Sequence, residues 1–392
     1  MLESHAIQST ALMRGVFQRR NEMKLTAKDC LSRLRWSGRT LYDAPNDAVF
    51  FNWTCSGFTL RFSGTKLTMD ALTFVETYPG EMDGVPWFAL FLDEKKEPER
   101  IFGLQDGETS FILYESETVE THTLRLVKRS EGSKGRAGLR ALSLEGVVLE
   151  LPAEKQRRKI EFVGDSITCG FGNEIAPEEE QFSSEQENGL LSFGAVASEL
   201  LNADYQMVCV SGIPLCWARD ESYRMILPWV PEFKTPIRSM EGYYQYTDRF
   251  HEEQEGMAEG FTQWDFSRFV PDAVVINLGT NDAFRIRVSG NDPAEAVHFQ
   301  ARYAAFLEHV RALNGDKAWM ICTLGSMDYF LYDNIEKAAA EYCEKTGDER
   351  VVCFKFGAID PWGEGMGGLS HPNAKTQRRM GRELAALLEK LI

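Results

Sequence analysis

The hydrophobic period of this sequence changes once, close to residue 154, and that change limits the chain to a fold built in two unlike parts. Upstream, apolar residues recur at every second position. Phe58, Leu60 and Phe62 alternate with Thr59, Arg61 and Ser63; a Ser-Gly turn comes next, and a second run passes through Leu67 and Met69. Leu124 and Leu126 alternate with Thr123 and Arg125, and Leu142, Leu144, Val147 and Leu149 continue the theme. Residues 85–92 are apolar on both faces, as a central strand would be. Turn-forming pairs (Asn46-Asp47, Asp83-Gly84, Asp106-Gly107) separate the runs at short intervals. Many short strands with regular turns predict an all-β sandwich, jelly-roll-like in layout, over residues 1–152.

Beyond the charged stretch 154–159, short apolar strands alternate with helical segments. The strands fall at 160–163, 206–210, 273–278, 318–324 and 351–356. Residues 293–313 read as a helix with Val297, Ala304, Leu307 and Val310 on one face, and the last helix carries Met380, Leu384, Leu387, Leu388 and Leu391. This alternation gives a parallel sheet covered on both faces. It predicts an α/β fold over residues 153–392, a flavodoxin-like three-layer α/β/α domain with a five-stranded sheet in the order 2-1-3-4-5. Ligands of such sheets bind at the carboxyl ends of the strands. The interval 220–263 breaks the rhythm. It is long, holds Trp229, Tyr243, Tyr244 and Tyr246 along with Pro228, Pro231 and Pro236, and reads as a packed loop or lid over the active edge of the sheet.

Composition narrows the partners. Apolar residues make up 43% of the 392, enough for a substantial core, and the formal net charge is −16. Such a chain repels nucleic acid and anionic lipid surfaces, so neither is expected as a partner. Cys30, Cys55, Cys169, Cys209, Cys216, Cys322, Cys343 and Cys353 are scattered singly, with no Cys-x-x-Cys pair. That argues against a zinc knuckle or a disulfide framework, and for buried thiols in a reducing compartment. Residues 1–25 hold no continuous apolar run, Arg14, Arg19 and Arg20 interrupt them, and no window reaches transmembrane length. A cytoplasmic location is the expectation. The sequence leaves the oligomeric state open.

Each residue with chemical potential falls just after a strand. Ser166 comes after the first, in Gly164-Asp165-Ser166. A tight turn into a helix there exposes the hydroxyl and aims the backbone N–H at a ligand, above the positive end of the helix. Serine and aspartate are also ordinary helix caps. Ser211-Gly212 comes after the second strand, Gly279-Thr280-Asn281-Asp282 after the third, and His371-Pro372-Asn373 after the fifth. A hydroxyl, a base and several N–H donors at one rim are the parts that ester hydrolysis needs.

In this order and spacing the blocks resemble those of the SGNH (GDSL-type) hydrolases, over about residues 160–392. The preceding β-sandwich, Ser37-Gly38-Arg39, and Trp264-Asp265-Phe266 leading to Pro271-Asp272-Ala273 are similar to carbohydrate esterase family two, deacetylases with an N-terminal jelly roll and an SGNH domain. The resemblance implies a serine esterase that removes O-acetyl groups from carbohydrates, such as xylan- or mannan-derived oligosaccharides, through an acyl-enzyme. It implies no metal and no cofactor, and no ligand cluster in the sequence calls for one. Ser166 becomes the nucleophile and His371 the base. The oxyanion hole draws on the N–H groups of Ser166 and Gly212 and the amide of Asn281, although Asn281 also suits a simple turn. Asp282 takes a structural place in that turn. Of the six histidines, His371 alone comes after a late strand in a Gly-rich turn; His298 and His309 fall within a helix, as solvated or packing residues.

SGNH enzymes commonly carry an aspartate two or three residues before the histidine, and here those positions are Leu369 and Gly368. A backbone carbonyl, Asp360 or Glu364 is left to orient the ring. Trp217, Trp229 and Trp362, near the strand ends, suit either stacking on pyranose faces or core packing. Two other readings stay open: a non-catalytic carbohydrate-binding protein with a decayed hydrolase domain, and an SGNH lipase or thioesterase acting on a non-sugar ester.

Overall fold

A computed structural model describes residues 22–75, 84–153, 156–176, 181–216, 238–288 and 290–392. The amino-terminal part holds strands β1 (Glu22–Thr26), β2 (Arg35–Ser37), β3 (Leu41–Asp43), β4 (Ala48–Phe50), β5 (Gly57–Phe74), β6 (Trp87–Leu92), β7 (Arg100–Gly103), β8 (Gly107–Lys128) and β9 (Arg136–Leu149), with one short helix, α1 (Ala27–Arg33). All pairings are antiparallel, in one nine-stranded sheet ordered β3-β4-β9-β5-β8-β6-β7, with β1 added on β9 and β2 on β5. Strands β5 and β8 run 18 and 22 residues, and register shifts at Gly64/Lys66 and Leu67/Thr68 let them bend. The inward residues Phe58, Leu60, Phe62, Leu67 and Met69 of β5 meet Phe88, Leu124, Leu126, Leu139 and Leu144 in one buried cluster. This is the alternation read from the sequence, turned into a core.

The carboxyl-terminal part holds parallel strands β10 (Lys159–Gly164), β11 (Asp204–Cys209), β12 (Ala273–Asn277), β13 (Trp319–Leu324) and β14 (Val351–Lys355) in the order β11-β10-β12-β13-β14, which is the expected 2-1-3-4-5. Its helices are α2 (Ser166–Cys169), α3 (Phe193–Leu200), α4 (Met240–Tyr243), α5 (Arg249–Gln254), α6 (Thr280–Val288), α7 (Pro293–Asn314), α8 (Tyr332–Thr346) and α9 (Ala374–Leu388). Successive strand side chains feed two cores. Val163, Val208, Val274, Ile276, Met320 and Cys322 pack with α7 and α8. Ile160, Phe162, Met207, Val275 and Ile321 pack with α3 and α9, and also with Cys55, Ala89, Phe91 and Val127 of the β-sheet domain. Both faces of the sheet are therefore dry, which is why its strands read as unbroken apolar runs.

Two expectations change. Helix α7 buries Phe299, Tyr303, Phe306, Leu307 and Val310, while Val297 is 63% exposed. The stripe is set by the large aromatic residues at helical spacing, and Val297 lies on the opposite side of the turn. The interval after β11 is no lid where it is described. Met240, Tyr243, Tyr244 and Phe250 sit in the core. The Trp53 indole donates to Thr247 O at 2.7 Å and the Asn52 amide to Asp248 at 2.6 Å, so this segment wedges between the two parts. Trp217 and Trp229 lie outside the described residues. All eight cysteines are free thiols, six of them buried. Among the described residues no helix is long and apolar enough to cross a membrane.

A charged pair sits in the middle of this interface. Glu161 of β10 and Arg39 are both buried, and their side chains meet at 3.1 Å. Gln206 and the Tyr244 hydroxyl also donate to Glu161, and Arg39 donates to the main-chain oxygens of Tyr244 and Tyr246. Breaking such a pair from one side leaves a buried charge with no counter-charge, at a cost of about 3–5 kcal/mol. Arg39→Met should therefore lower the denaturant midpoint strongly, and adding Glu161→Gln should restore part of the loss. A single variant as stable as the parent would show that water replaces the guanidinium.

Candidate active site

Strand β10 ends at Gly164, where an added Cβ would lie 2.0 Å from the Thr168 hydroxyl, so the turn closes only over glycine. Asp165 then caps α2, its carboxyl accepting from the Ile167 N–H at 3.0 Å. Ser166 opens that helix and is 7% exposed. Helix α2 is a single turn of four residues. The expected helix dipole beneath Ser166 is correspondingly slight, and the site relies on individual N–H groups instead.

His371 meets Ser166 from the loop before α9. Its Nε2 lies 2.7 Å from Ser166 Oγ, and its Nδ1 lies 3.0 Å from Gly368 O and 3.1 Å from Leu369 O. Carbonyls only accept, so Nδ1 carries the proton and the Nε2 lone pair faces the serine hydroxyl. Leu369 and Ser370 both adopt positive φ, at 48° and 65°, which turns the two carbonyls inward. The loop is sewn to the segment after α2: Gly368 N donates to Gly172 O at 2.9 Å, and Ala374 N to Asn173 O at 2.9 Å. Gln377 of α9 completes the seam, donating to Ile167 O at 2.9 Å and accepting from Phe193 N at 2.8 Å. Seam residues such as Asn173 and Gln377 carry no sequence signal; they lie within ordinary polar stretches.

The two other acids read as ring-orienting candidates are engaged elsewhere. Asp360 accepts from the N–H groups of Trp362 and Gly363 at 3.1 and 3.0 Å, closing its own turn. Glu364 pairs with Arg379 at 2.7 Å and accepts from the Thr376 hydroxyl. Local N–H groups and a nearby guanidinium satisfy both carboxylates before either can reach the imidazole. Trp362 lies on the same loop and is 97% exposed, so it is not a core residue.

The three candidate oxyanion donors follow the ends of β10, β11 and β12. Among the described residues, neither the Ser166 N–H nor the Gly212 N–H donates to a protein acceptor. Gly212 has φ +76° and open space where a Cβ would stand. Asn281, in the first turn of α6, donates its amide to Ile213 O at 3.0 Å and to Asp165 Oδ2 at 3.4 Å. It thus bridges the neighbours of Gly212 and of Ser166. Asp282 is fully buried and accepts from Leu215 N at 2.8 Å and Cys216 N at 3.3 Å, fixing the segment after β11.

The electrostatics are set by burial. Desolvation pushes the His371 imidazole down to about 4; the carbonyls of Gly368 and Leu369 and the Glu131 charge pull it back up, and Lys134 opposes them. Asp165 is pushed up to about 7, mainly by burial and also by the Asp282 charge. Phe171 lies against the His371 ring at 4.8 Å between centroids, and Phe182 stacks on Phe171. Glu131, Lys134 and Glu187 come from outside the motif blocks, so the sequence carries no signal that places them here. Glu131, Cys169 and Glu187 hold their ligand atoms within 4.8 Å of one another. Lys134 lies 3.9 Å from Glu131, and the buried Lys128 donates to Glu131 O at 2.6 Å. The positive charges of Lys134 and Lys128 already act on Glu187, and Lys134 stands beside Glu131, so this donor set does not call for a further cation.

Residues 160–384 match the GDSL-like lipase/acylhydrolase family, and residues 36–152 match the amino-terminal domain of carbohydrate esterase 2. The cellulase/esterase CelE of Acetivibrio thermocellus is 28% identical over 90% of this chain, which spans 38% of CelE. An acetylxylan esterase/glucomannan deacetylase of Cellvibrio japonicus is 26% identical over 79% of this chain and 78% of its own length. A family two carbohydrate esterase from Clostridium thermocellum, solved in complex with cellohexaose, superposes with a TM-score of 0.73 at 28% identity, covering 91% of this chain and 98% of that one. An acetyl xylan esterase from the rumen bacterium Butyrivibrio proteoclasticus superposes at 0.76 with 21% identity, over 94% of this chain and 98% of its own, and shows the shared fold.

The ring can be tested without a substrate. An NMR titration should place the His371 midpoint near 4, against 6.5 for the ordinary imidazole. Asp360→Asn should leave that midpoint in place. A midpoint at or above 6.5, or one that drops in the Asp360 variant, would mean that a carboxylate holds Nδ1 in solution.

Proposed function

We propose that this chain, which belongs to the GDSL-like lipase/acylhydrolase family and carries the amino-terminal domain of carbohydrate esterase 2 before it, is a serine esterase that removes O-acetyl groups from carbohydrates. The observation that carries this reading is the 2.7 Å contact between Ser166 Oγ and His371 Nε2, with the proton held on Nδ1 by main-chain oxygens. His371 takes the hydroxyl proton as Ser166 attacks the acetyl carbonyl. The negative oxygen of the tetrahedral intermediate meets the N–H groups of Ser166 and Gly212 and the Asn281 amide, which turns from Asp165 toward it. The imidazolium then gives its proton to the departing sugar oxygen, and water repeats the sequence on the acetyl-enzyme.

A carbonyl-held imidazole keeps its tautomer but has no carboxylate hydrogen-bonded to Nδ1 as it becomes imidazolium; the more distant Glu131 charge offsets only part of the burial cost. The depressed pKa fits this: the ring stays neutral, and able to accept a proton, down to acidic pH. Substrates of the named relatives point to acetylated xylan- and mannan-type oligosaccharides. Trp362, fully presented on the loop that carries His371, offers a flat face for a pyranose ring.

Ser166→Ala should fold normally and lose at least about 10³-fold in aryl-acetate turnover, because nothing else can form the acyl-enzyme. Asn281→Ala should lower kcat by about 10²–10³-fold with little change in KM. Mass spectrometry of acetylated xylo- and manno-oligosaccharides should show loss of acetyl from at least one class. Near-parent turnover in Ser166→Ala would remove the serine-esterase reading, and acetyl loss from neither oligosaccharide would remove the carbohydrate substrate.

A further inference from the structure

The loop between β8 and β9 reaches out of the β-sheet domain and ends against the active site. Its Glu131 is completely buried. Glu131 Oε2 accepts from the Ser211 N–H at 2.6 Å and from the Cys169 thiol at 3.6 Å. Ser211 precedes Gly212, and Cys169 closes the one-turn helix that Ser166 opens. One carboxyl group from the other domain therefore touches both elements that present the main-chain oxyanion donors. We infer that Glu131 is a positioning residue of the oxyanion hole, holding the Ser211 main chain so that the Gly212 N–H points toward the reacting carbonyl. The inference rests on the esterase reading and adds to it a part supplied from outside the hydrolase fold.

The need for such an anchor arises from Gly212 itself. Its φ is +76° and no atom lies near its absent Cβ; the Ile213 N–H bond to Val210 O at 3.3 Å closes the turn but leaves the central Ser211–Gly212 peptide free to turn over. The N–H it should present has no protein acceptor among the described residues. A short, half-buried hydrogen bond on the preceding residue restrains that motion before substrate arrives. Glu131 is itself held from several sides. Its N–H donates to Glu187 Oε1 at 2.6 Å, its main-chain oxygen accepts from Lys128 at 2.6 Å and from Lys134 N at 3.1 Å, and Lys134 Nζ stands 3.9 Å from Oε1. Arg129 O, two residues earlier, accepts from Gly189 N at 2.9 Å, docking the loop on the hydrolase domain.

The test compares Glu131→Gln with Glu131→Ala in the full chain. Glutamine keeps an oxygen able to accept from the Ser211 N–H; alanine does not. Glu131→Ala should lower kcat for an aryl acetate on the order of 10²-fold with KM changed by less than about 3-fold, the scale of losing one oxyanion donor, and Glu131→Gln should recover at least about 10-fold of that loss. Hydrogen exchange across 208–213 should quicken in the alanine variant and stay near the parent rate in the glutamine variant. Parent-like kcat in Glu131→Ala would overturn the inference and leave the esterase reading intact. So would an equal loss in both variants with exchange quickened throughout the chain, which would mark Glu131 as structural only. If the parent chain itself hydrolyses no ester, the esterase reading fails, and exchange still reports whether Glu131 holds the loop.

Discussion

Much of this structure depends on one buried carboxylate in the strand that leads to Ser166. Glu161 stands in β10 between Ile160 and Phe162, in the centre of a sheet with two dry faces. An isolated carboxylate there would be strongly unfavourable. The β-sheet domain supplies Arg39 to meet it, and the 238–263 segment supplies Tyr244. The guanidinium is enclosed by the rings of Tyr244, Trp264 and Phe266 at 5.2 to 5.4 Å. A single charge in the central strand thus binds three parts of the chain to one another. The β-sheet domain thereby completes the interior of the hydrolase domain.

The same relation recurs at the chemical end of the sheet. The 129–135 loop carries Arg129, Glu131 and Lys134 into the hydrolase domain, and Glu131 ends between Cys169 and Ser211. Two polar arms therefore extend from one domain, one to the body of β10 and one to the loops beyond its end. With both in place, Ser166, His371 and Gly212 are fixed by contacts that converge from different elements. Such convergence suits a site in which the histidine has no acid of its own. The two carbonyls at Gly368 and Leu369 set the ring's tautomer and angle, and backbone strain at Leu369 and Ser370 is the local cost of turning them inward.

The layout of the fold and the members of the site are largely legible in the sequence. Period-two alternation marks the β-sheet domain, and the switch to strand–helix alternation marks the parallel sheet in its strand order. Ser166, Gly212, Asn281 and His371 stand out because each comes after a strand, and the strand ends of a parallel sheet lie along one rim. The buried face of α7 is less legible. Val297 fits the apolar spacing as well as its neighbours do, yet the bulk of Phe299, Tyr303 and Phe306 sets the stripe. The wedge at 238–263 belongs to an interval that reads in sequence as a packed loop or lid; it is the packed loop where it is described, and aromatic content marks such a segment without saying what it packs against.

The chain alone marks the candidate residues, since local pattern fixes which side chains stand at a strand end and where a glycine must turn. It also reveals that the histidine lacks its usual acid, because that is a statement about neighbouring positions. The replacement for that acid is settled only in the folded molecule. Asp360, Glu364 and the carbonyls of Gly368 and Leu369 all lie on the one loop that leads to His371, and the choice among them depends on φ angles and on which N–H or guanidinium satisfies each carboxylate first. The place of Glu131 in the site lies further still from the sequence. Residues 131 and 211 are brought together by the docking of one domain on another, and the strength of their hydrogen bond depends on that closeness and not on any spacing along the chain.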